Sequence, residues 1–192
     1  MWAAYALERC VAALRPAVFD ADSNSREQLA LASSAAGVGF GNAGVHLCHA
    51  MSYPISSRVA GYRPASGYEG SEKASIVPHG LSVVLTAPEI FRWTADADPE
   101  RHLTAARIIT GDRLDTVRPA DAGPALADAI VHFLDNFRAF VPDGLAGVNY
   151  TTSDVDVLVA GTLPQRKVLD VAPKQATAED LAKIFERSMA IF

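Results

Sequence analysis

The sequence predicts an all-α fold, an antiparallel globular helical domain spanning residues 1–192. Three observations carry that prediction. Apolar residues recur at helical spacing in several segments, and Leu126, Ile130, Phe133, Leu134 and Phe137 form the clearest stripe. The breaks between segments carry helix-start and turn chemistry, as in Asp98-Pro99 and Pro142-Asp143-Gly144. No convincing β-hairpin, internal repeat or low-complexity tail competes with this pattern, which points to a globular helical domain rather than a symmetric bundle.

Taken in order, Trp2 to Ala13 reads as a helix with Ala, Leu and Val inward, Glu8 and Arg9 outward, and Pro16 ending it. Asp20 to Ser25 is a polar turn offering Asp22, Ser23 or Asn24 as caps. A second helix then runs from about Arg26 toward Gly37. Gly37, Gly39, Gly41 and Gly44 resemble a phosphate loop only superficially, because Ala30 to Ala36 before them is helical where a nucleotide fingerprint needs a strand. Their small size suits close helix packing instead. Tyr62 to Ser75 is broken by Pro64, Gly67 and Gly70 and reads as a lid or binding loop. Leu81 to Trp93 is an apolar helix, and Phe91 and Trp93 belong to the core. Pro99 opens the next helix with Asp98 as its cap and His102 exposed, and Ala120 to Phe140 is a long amphipathic helix. Thr151 to Asp154 starts a helix that runs through Ala160 and closes at Gly161. Glu179 to Phe192 is the last helix, burying Leu181, Ile184 and Phe185.

With 49% apolar residues, 20% charged residues and a net charge of -5, the chain can bury a sizeable core. A radius of gyration of about 16 Å follows for this length. The acidic balance, without a Lys/Arg-rich patch, argues against nucleic acid and gives no polybasic anchor for a membrane. No run reaches the ~18 apolar residues of a membrane span. Cys10 and Cys48 stand alone among apolar neighbours, with no Cys-x-x-Cys and no secretory leader, so they read as buried thiols of a cytoplasmic compartment. Cys48 and His49 are adjacent, about 100° apart on a helix, and do not face one target.

The chemistry concentrates between Gly37 and Gly80. Gly41 to Pro54 reads as one helix, on which Asn42, His46, His49 and Tyr53 fall at relative positions 0, 4, 7 and 11 and stack into one polar stripe. Val77-Pro78-His79-Gly80-Leu81-Ser82 opens the next apolar helix, with an imidazole at its start facing the first. Two imidazoles from two helices suggest a divalent-metal site, although zinc and iron sites normally use three or four protein ligands and at least one more is needed. Spacing alone leaves a purely structural role open for each of the three histidines. The Asn42 amide serves equally to hold a polar group of a substrate or to cap a local break. Arg58 and Arg63 are natural clamps for a carboxylate, or solvated loop charges.

The phrases GFGNAGVHLCHAMSYPIS, VPHGLSVVLTAPEIF, PERHLTAARIITG, DGLAGV and GTLPQRKV, with His-x-Met-x-Tyr-Pro followed by Pro-His-Gly, carry a resemblance. The chain resembles the iron-type (group III) alcohol dehydrogenases, and among them the hydroxyacid-oxoacid transhydrogenase branch. The resemblance implies the helical domain of a dehydroquinate synthase-like, iron-type alcohol dehydrogenase fold, in which an N-terminal dinucleotide domain and a helical domain enclose a metal. It implies that His49 and His79 are metal ligands, and that Tyr53 stands where many members carry a second histidine near the nicotinamide. Such members take two further ligands from an Asp-x-x-x-His helix, and their pyrophosphate-binding Gly-Gly-Gly-Ser turn lies further upstream. Neither element occurs in this sequence, so the expectation is half a metal site and an absent N-terminal dinucleotide domain.

The expected chemistry is hydride transfer with Fe²⁺ (or Zn²⁺) as Lewis acid and NAD as hydride carrier, on a small alcohol or hydroxyacid. The transhydrogenase branch implies 4-hydroxybutyrate and 2-oxoglutarate. Tyr53 is the expected catalytic group, although a phenol is a weaker base at neutral pH than an imidazole. Asn42, Arg58 and Arg63 are expected substrate contacts. The resemblance also allows a homo-oligomer, and a mitochondrial matrix location if the source is eukaryotic. The competing expectation is a helical remnant or interaction subunit that lacks a complete metal site.

Overall fold

Helix α1 (Trp2–Phe19) folds back through the turn 20–22 onto α2 (Ser23–Ala43), and the two pack along their length as a hairpin. A computed structural model describes residues 1–64, 75–111, 114 and 116–192, and every described element is helix, turn or extended connection. Pro16 lies inside α1 rather than ending it. Its missing N–H deprives only the carbonyl of Ala12, an exposed residue, while Ala13 and Ala17 stay buried around it. Asp22 caps α2 by accepting from the Ser25 N–H at 2.7 Å. Helix α2 also outruns its expected end at Gly37, continuing through Gly39, which lies 3.6 Å from the Ala3 nitrogen if given a Cβ.

The chain passes through the centre of the domain in α3 (Leu47–Arg58), which buries Leu47, Cys48, Ala50, Met51, Ser52, Pro54 and Ile55. Around it α4 (His79–Val84) and α5 (Ala87–Thr94) lie on one side, and α8 (Val155–Thr162) lies on another. Leu85, Ile90, Leu145, Val148, Leu158, Leu181 and Phe185 close the core about α3. Each such side chain contributes about 1.5–3 kcal/mol by leaving water. The sequence reading of Leu81 to Trp93 as one helix is corrected. Pro88 has no N–H to offer Val84, so α4 stops and α5 restarts with Pro88 in its first turn.

Helix α6 (Pro99–Thr110) begins and ends as its sequence dictates. Asp98 accepts from the Arg101 N–H at 3.2 Å, Pro99 takes the first position, and Gly111 closes the helix at φ 74°. Helix α7 (Ala122–Asp135) packs on α5 and α6. It stops short of Phe140 because the Asn136 amide donates to the last-turn carbonyls of His132 and Phe133. Phe137 stays in the apolar layer, 5% exposed. Gly161 sits within α8 instead of terminating it, since a Cβ there would lie 2.7 Å from the Pro54 Cβ and the two helices meet at that point. After the short α9 (Arg166–Leu169), α10 (Ala178–Arg187) starts on a reciprocal Thr177–Asp180 cap. It does not reach Phe192. The N–H groups of Ile191 and Phe192 turn to the Asp143 carboxylate, at 2.9 and 3.0 Å.

Candidate metal centre

The break between α2 and α3 decides which side chains share the site. Gly44 takes φ 78° with ψ -179°, a conformation that only glycine adopts without strain, and it ends α2 by donating its N–H to Phe40. The single stripe expected from Asn42 to Tyr53 therefore does not exist. Asn42 sits exposed on the last turn of α2, where its amide donates to the Val38 carbonyl at 2.7 Å. His46 occupies the cap position of α3, and only His49 and Tyr53 remain stacked one turn apart on that helix.

His49 is half-buried on α3, and His79 is exposed at the first position of α4. Their ring centroids lie 5.2 Å apart, tilted by 59°. An ion about 2.1 Å from one nitrogen of each ring sits about 3.2 Å from each centroid, so two rings can share it only within about 6.4 Å. The observed pair meets that condition. Burial first, and the neighbouring His79 second, hold the His49 imidazolium below its ordinary range. The neutral, lone-pair-bearing form that a metal requires is thereby favoured. Two imidazoles fit as part of a ligand set, and among the described residues no cluster of three or more His, Cys, Asp or Glu side chains could hold an ion.

Hydrogen bonds from serines fix the backbone on both sides of the pair. Ser52 donates to the His49 carbonyl at 2.8 Å, Ser82 donates to the His79 carbonyl at 2.8 Å, and Ser56 reaches across from α3 to the Val77 carbonyl at 2.9 Å. The far end of α3 is held by Tyr150, 5% exposed, whose hydroxyl donates to the Ile55 carbonyl at 2.8 Å. Tyr53 is 41% exposed, one turn beyond His49. Arg58 is nine residues beyond His49, about half a revolution around the helix. Its Nε approaches α8 at Gly161, away from the imidazole pair. Arg63 is exposed at the edge of the described part of the loop, and most of the expected lid, residues 65–74, lies outside the described residues.

His46 faces a different environment. Its Nδ1 is buried without a hydrogen-bond partner among the described residues, and its ring meets the edge of Phe91 at 6.1 Å. Burial, then His49, then His102 lower its pKa. Phe91 stacks edge-on against His102 on the other side, at 5.8 Å. His102 corrects the sequence reading, being 7% exposed rather than on the surface. Its Nδ1 bonds the Asp98 carbonyl at 2.7 Å and its Nε2 the Thr94 hydroxyl at 2.9 Å. These residues border a groove of about 1030 Å³ between α1 and the α4–α7 layer, lined by Leu14, Val84, Ile109, Leu126 and Ile130. Burial pushes the Cys48 thiol up to about 12, which disfavours the reactive thiolate.

Residues 1–60 match the family described as Fe-containing alcohol dehydrogenase family, C-terminal. Across its full length the chain is 48% identical over 193 residues to the hydroxyacid-oxoacid transhydrogenase, mitochondrial, of Rattus norvegicus, covering 100% of this chain and 40% of that protein. The Homo sapiens protein of the same name is 49% identical with the same coverage. The chain thus spans about 40% of the length of the curated relatives it matches. Among solved structures, 1,3-propanediol oxidoreductase superposes with a TM-score of 0.79 at 22% identity, over 96% of this chain and 44% of that one. The alcohol dehydrogenase from Oenococcus oeni gives a TM-score of 0.79 at 24% identity, over 96% and 43%. At these identities the two structures establish a shared helical fold.

Proposed function

For a chain that belongs to the iron-containing alcohol dehydrogenase family as its C-terminal helical domain, we propose that it is the metal-holding part of an NAD-linked oxidoreductase. The proposed substrates are hydroxyacids and oxoacids of the transhydrogenase type, with 4-hydroxybutyrate oxidised and 2-oxoglutarate reduced. The observation that carries this reading is the approach of His49 and His79 to 5.2 Å from two separate helices. Their imidazoles would each give one ring nitrogen to Fe²⁺ or Zn²⁺. Such an ion supplies Lewis-acid polarisation of the alcohol or carbonyl oxygen. Tyr53, one turn from His49, would hydrogen-bond the substrate oxygen or pass its proton toward solvent.

Arg63 is the proposed clamp for a substrate carboxylate, because Arg58 lies on the α8 side of the helix and the Asn42 amide bonds its own helix. NAD would be bound by an N-terminal dinucleotide domain of the kind the family resemblance implies. Support for such a covering element comes from the apolar groove beside His46 and from exposed Met1, Trp2 and Phe40, at 96%, 48% and 55%. The same groove favours a second reading, in which the chain acts as a helical interaction subunit without metal. The reading places the protein in the cytoplasm or, as its relatives' names state of them, the mitochondrion; no helix of the described residues is long and apolar enough to cross a membrane.

The test assays the purified chain with Fe²⁺ or Zn²⁺, NAD⁺ and 4-hydroxybutyrate, alone and together with a separately expressed dinucleotide domain. Turnover confined to the mixture, and abolished by His49→Ala and by His79→Ala, is the expected result. Robust metal-dependent turnover by the chain alone would refute the proposed division of labour, and a mixture that turns over equally well with both histidines replaced would refute the site.

A further inference from the structure

We infer that Ser56 is a positioning residue that sets the separation of the His49 and His79 rings. The inference rests on the reading that these two rings hold one ion. His49 is carried by α3, whereas His79 is delivered by the extended segment 75–78, so nothing in local helix geometry fixes one ring against the other. The Ser56 hydroxyl makes that connection, donating to the Val77 carbonyl at 2.9 Å, two residues ahead of His79. Val77 is 1% exposed, so its carbonyl has little access to water as an alternative partner. Pro78 follows with φ -51° and ψ 142°, and its ring makes the step from Val77 to His79 stiff. A displacement of Val77 is therefore passed on to His79.

Ser56 is seven residues beyond His49, two turns along the same side of α3. The opposite side of that turn is braced. The Tyr150 hydroxyl donates to the Ile55 carbonyl at 2.8 Å, and Pro54 abuts α8 at Gly161. With α3 held from behind, the Ser56–Val77 bond defines how closely the His79 segment can approach. Its loss leaves a buried carbonyl unpaired, and that segment shifts outward to reach water. The margin for such a shift is small, because the rings start at 5.2 Å and cease to share an ion beyond about 6.4 Å.

The experiment titrates the full chain with Cu²⁺–nitrilotriacetate, a probe that binds paired imidazoles, and follows nitrogen coupling by electron paramagnetic resonance. Thermal melts of each variant are recorded beside it. The wild-type chain binds through both rings, and His49→Ala or His79→Ala abolishes two-nitrogen binding. Ser56→Ala weakens it at least tenfold, and Ser56→Thr, which keeps the hydroxyl, restores it. Thr162→Val, which removes a buried hydroxyl of α8 bonded to Leu158, lowers the melting temperature without weakening copper binding. A Ser56→Ala chain that melts earlier yet binds copper as tightly as wild type would overturn the positioning role and leave the metal reading intact. Absence of His49-dependent binding in the wild-type chain would overturn the metal reading itself.

Discussion

Replacing Tyr150 by phenylalanine removes one oxygen and, with it, the brace on the C-terminal end of α3. The hydroxyl donates to the Ile55 carbonyl at 2.8 Å and lies 3.3 Å from the Pro54 carbonyl, both within the core. The ring stays, so no cavity opens, and the cost is that of an unpaired buried acceptor, about 2 kcal/mol. For a domain of this length the melting temperature falls by about 4–8 °C. A second signature comes from pH. Burial first and the Asp154 carboxylate second push the Tyr150 phenol up to about 12, with Arg58 pulling the other way. An unfolded tyrosine ionises near ~10. Between these values the unfolded chain has lost a proton that the native chain keeps. The stabilisation is therefore complete below about pH 10 and is lost as pH rises through the folded value. Chemical denaturation at a series of alkaline pH values measures that slope, which Tyr150→Phe removes. A variant that melts within 1 °C of wild type and keeps the same alkaline slope, both thresholds being of the order of measurement error, would refute the brace.

Three further outcomes follow from the same contacts. Burial and His79 lower the His49 pKa, so its ring, followed by NMR, titrates below the ordinary histidine range. His79→Ala returns only part of the shift because burial persists; an unmoved midpoint would contradict the coupling of the two rings. The stability linked to neutral His46 and His49 is present above the unfolded value near ~6.5 and is lost as pH falls through their lowered values, which denaturation at mildly acidic pH measures. Gly161→Ala places a methyl 2.7 Å from the Pro54 Cβ and destabilises by about 1–3 kcal/mol, whereas Gly37→Ala, with nothing within 4 Å, stabilises α2 by about 0.5–1 kcal/mol; thermal melts of the two variants should move in opposite directions.

What the sequence makes legible is what is decided locally. Asp98-Pro99 starts its helix as read, because a cap and its N–H partner lie within one turn. Leu126, Ile130 and Leu134 of the expected stripe are buried for the same reason, their period being set by the helix itself. The errors arise where the deciding partner is elsewhere. Of four closely spaced glycines, only Gly44 takes a positive φ, and composition gives no sign of which one breaks the helix. Pro16 reads as a stop, yet the carbonyl it deprives belongs to an exposed residue. The burial of His102 has a faint local signal in Thr94, Asp98 and His102 at four-residue spacing. Tyr150 has none, because the carbonyl it bonds is 95 residues away. Ser56 could be singled out only as a hydroxyl on the same helix face as His49, with its partner 21 residues on.

The claim on which the account turns is that His49 and His79 hold one divalent ion together when a dinucleotide domain is supplied. Iron bound per complex, measured by atomic emission on the chain co-purified with a dinucleotide domain, addresses it without reference to turnover. About one ion per complex is predicted. It should fall to background in His49→Ala and in His79→Ala, while His132→Ala, a change on the exposed face of α7, leaves it unchanged. Full iron occupancy in a complex lacking either His49 or His79 would contradict the account.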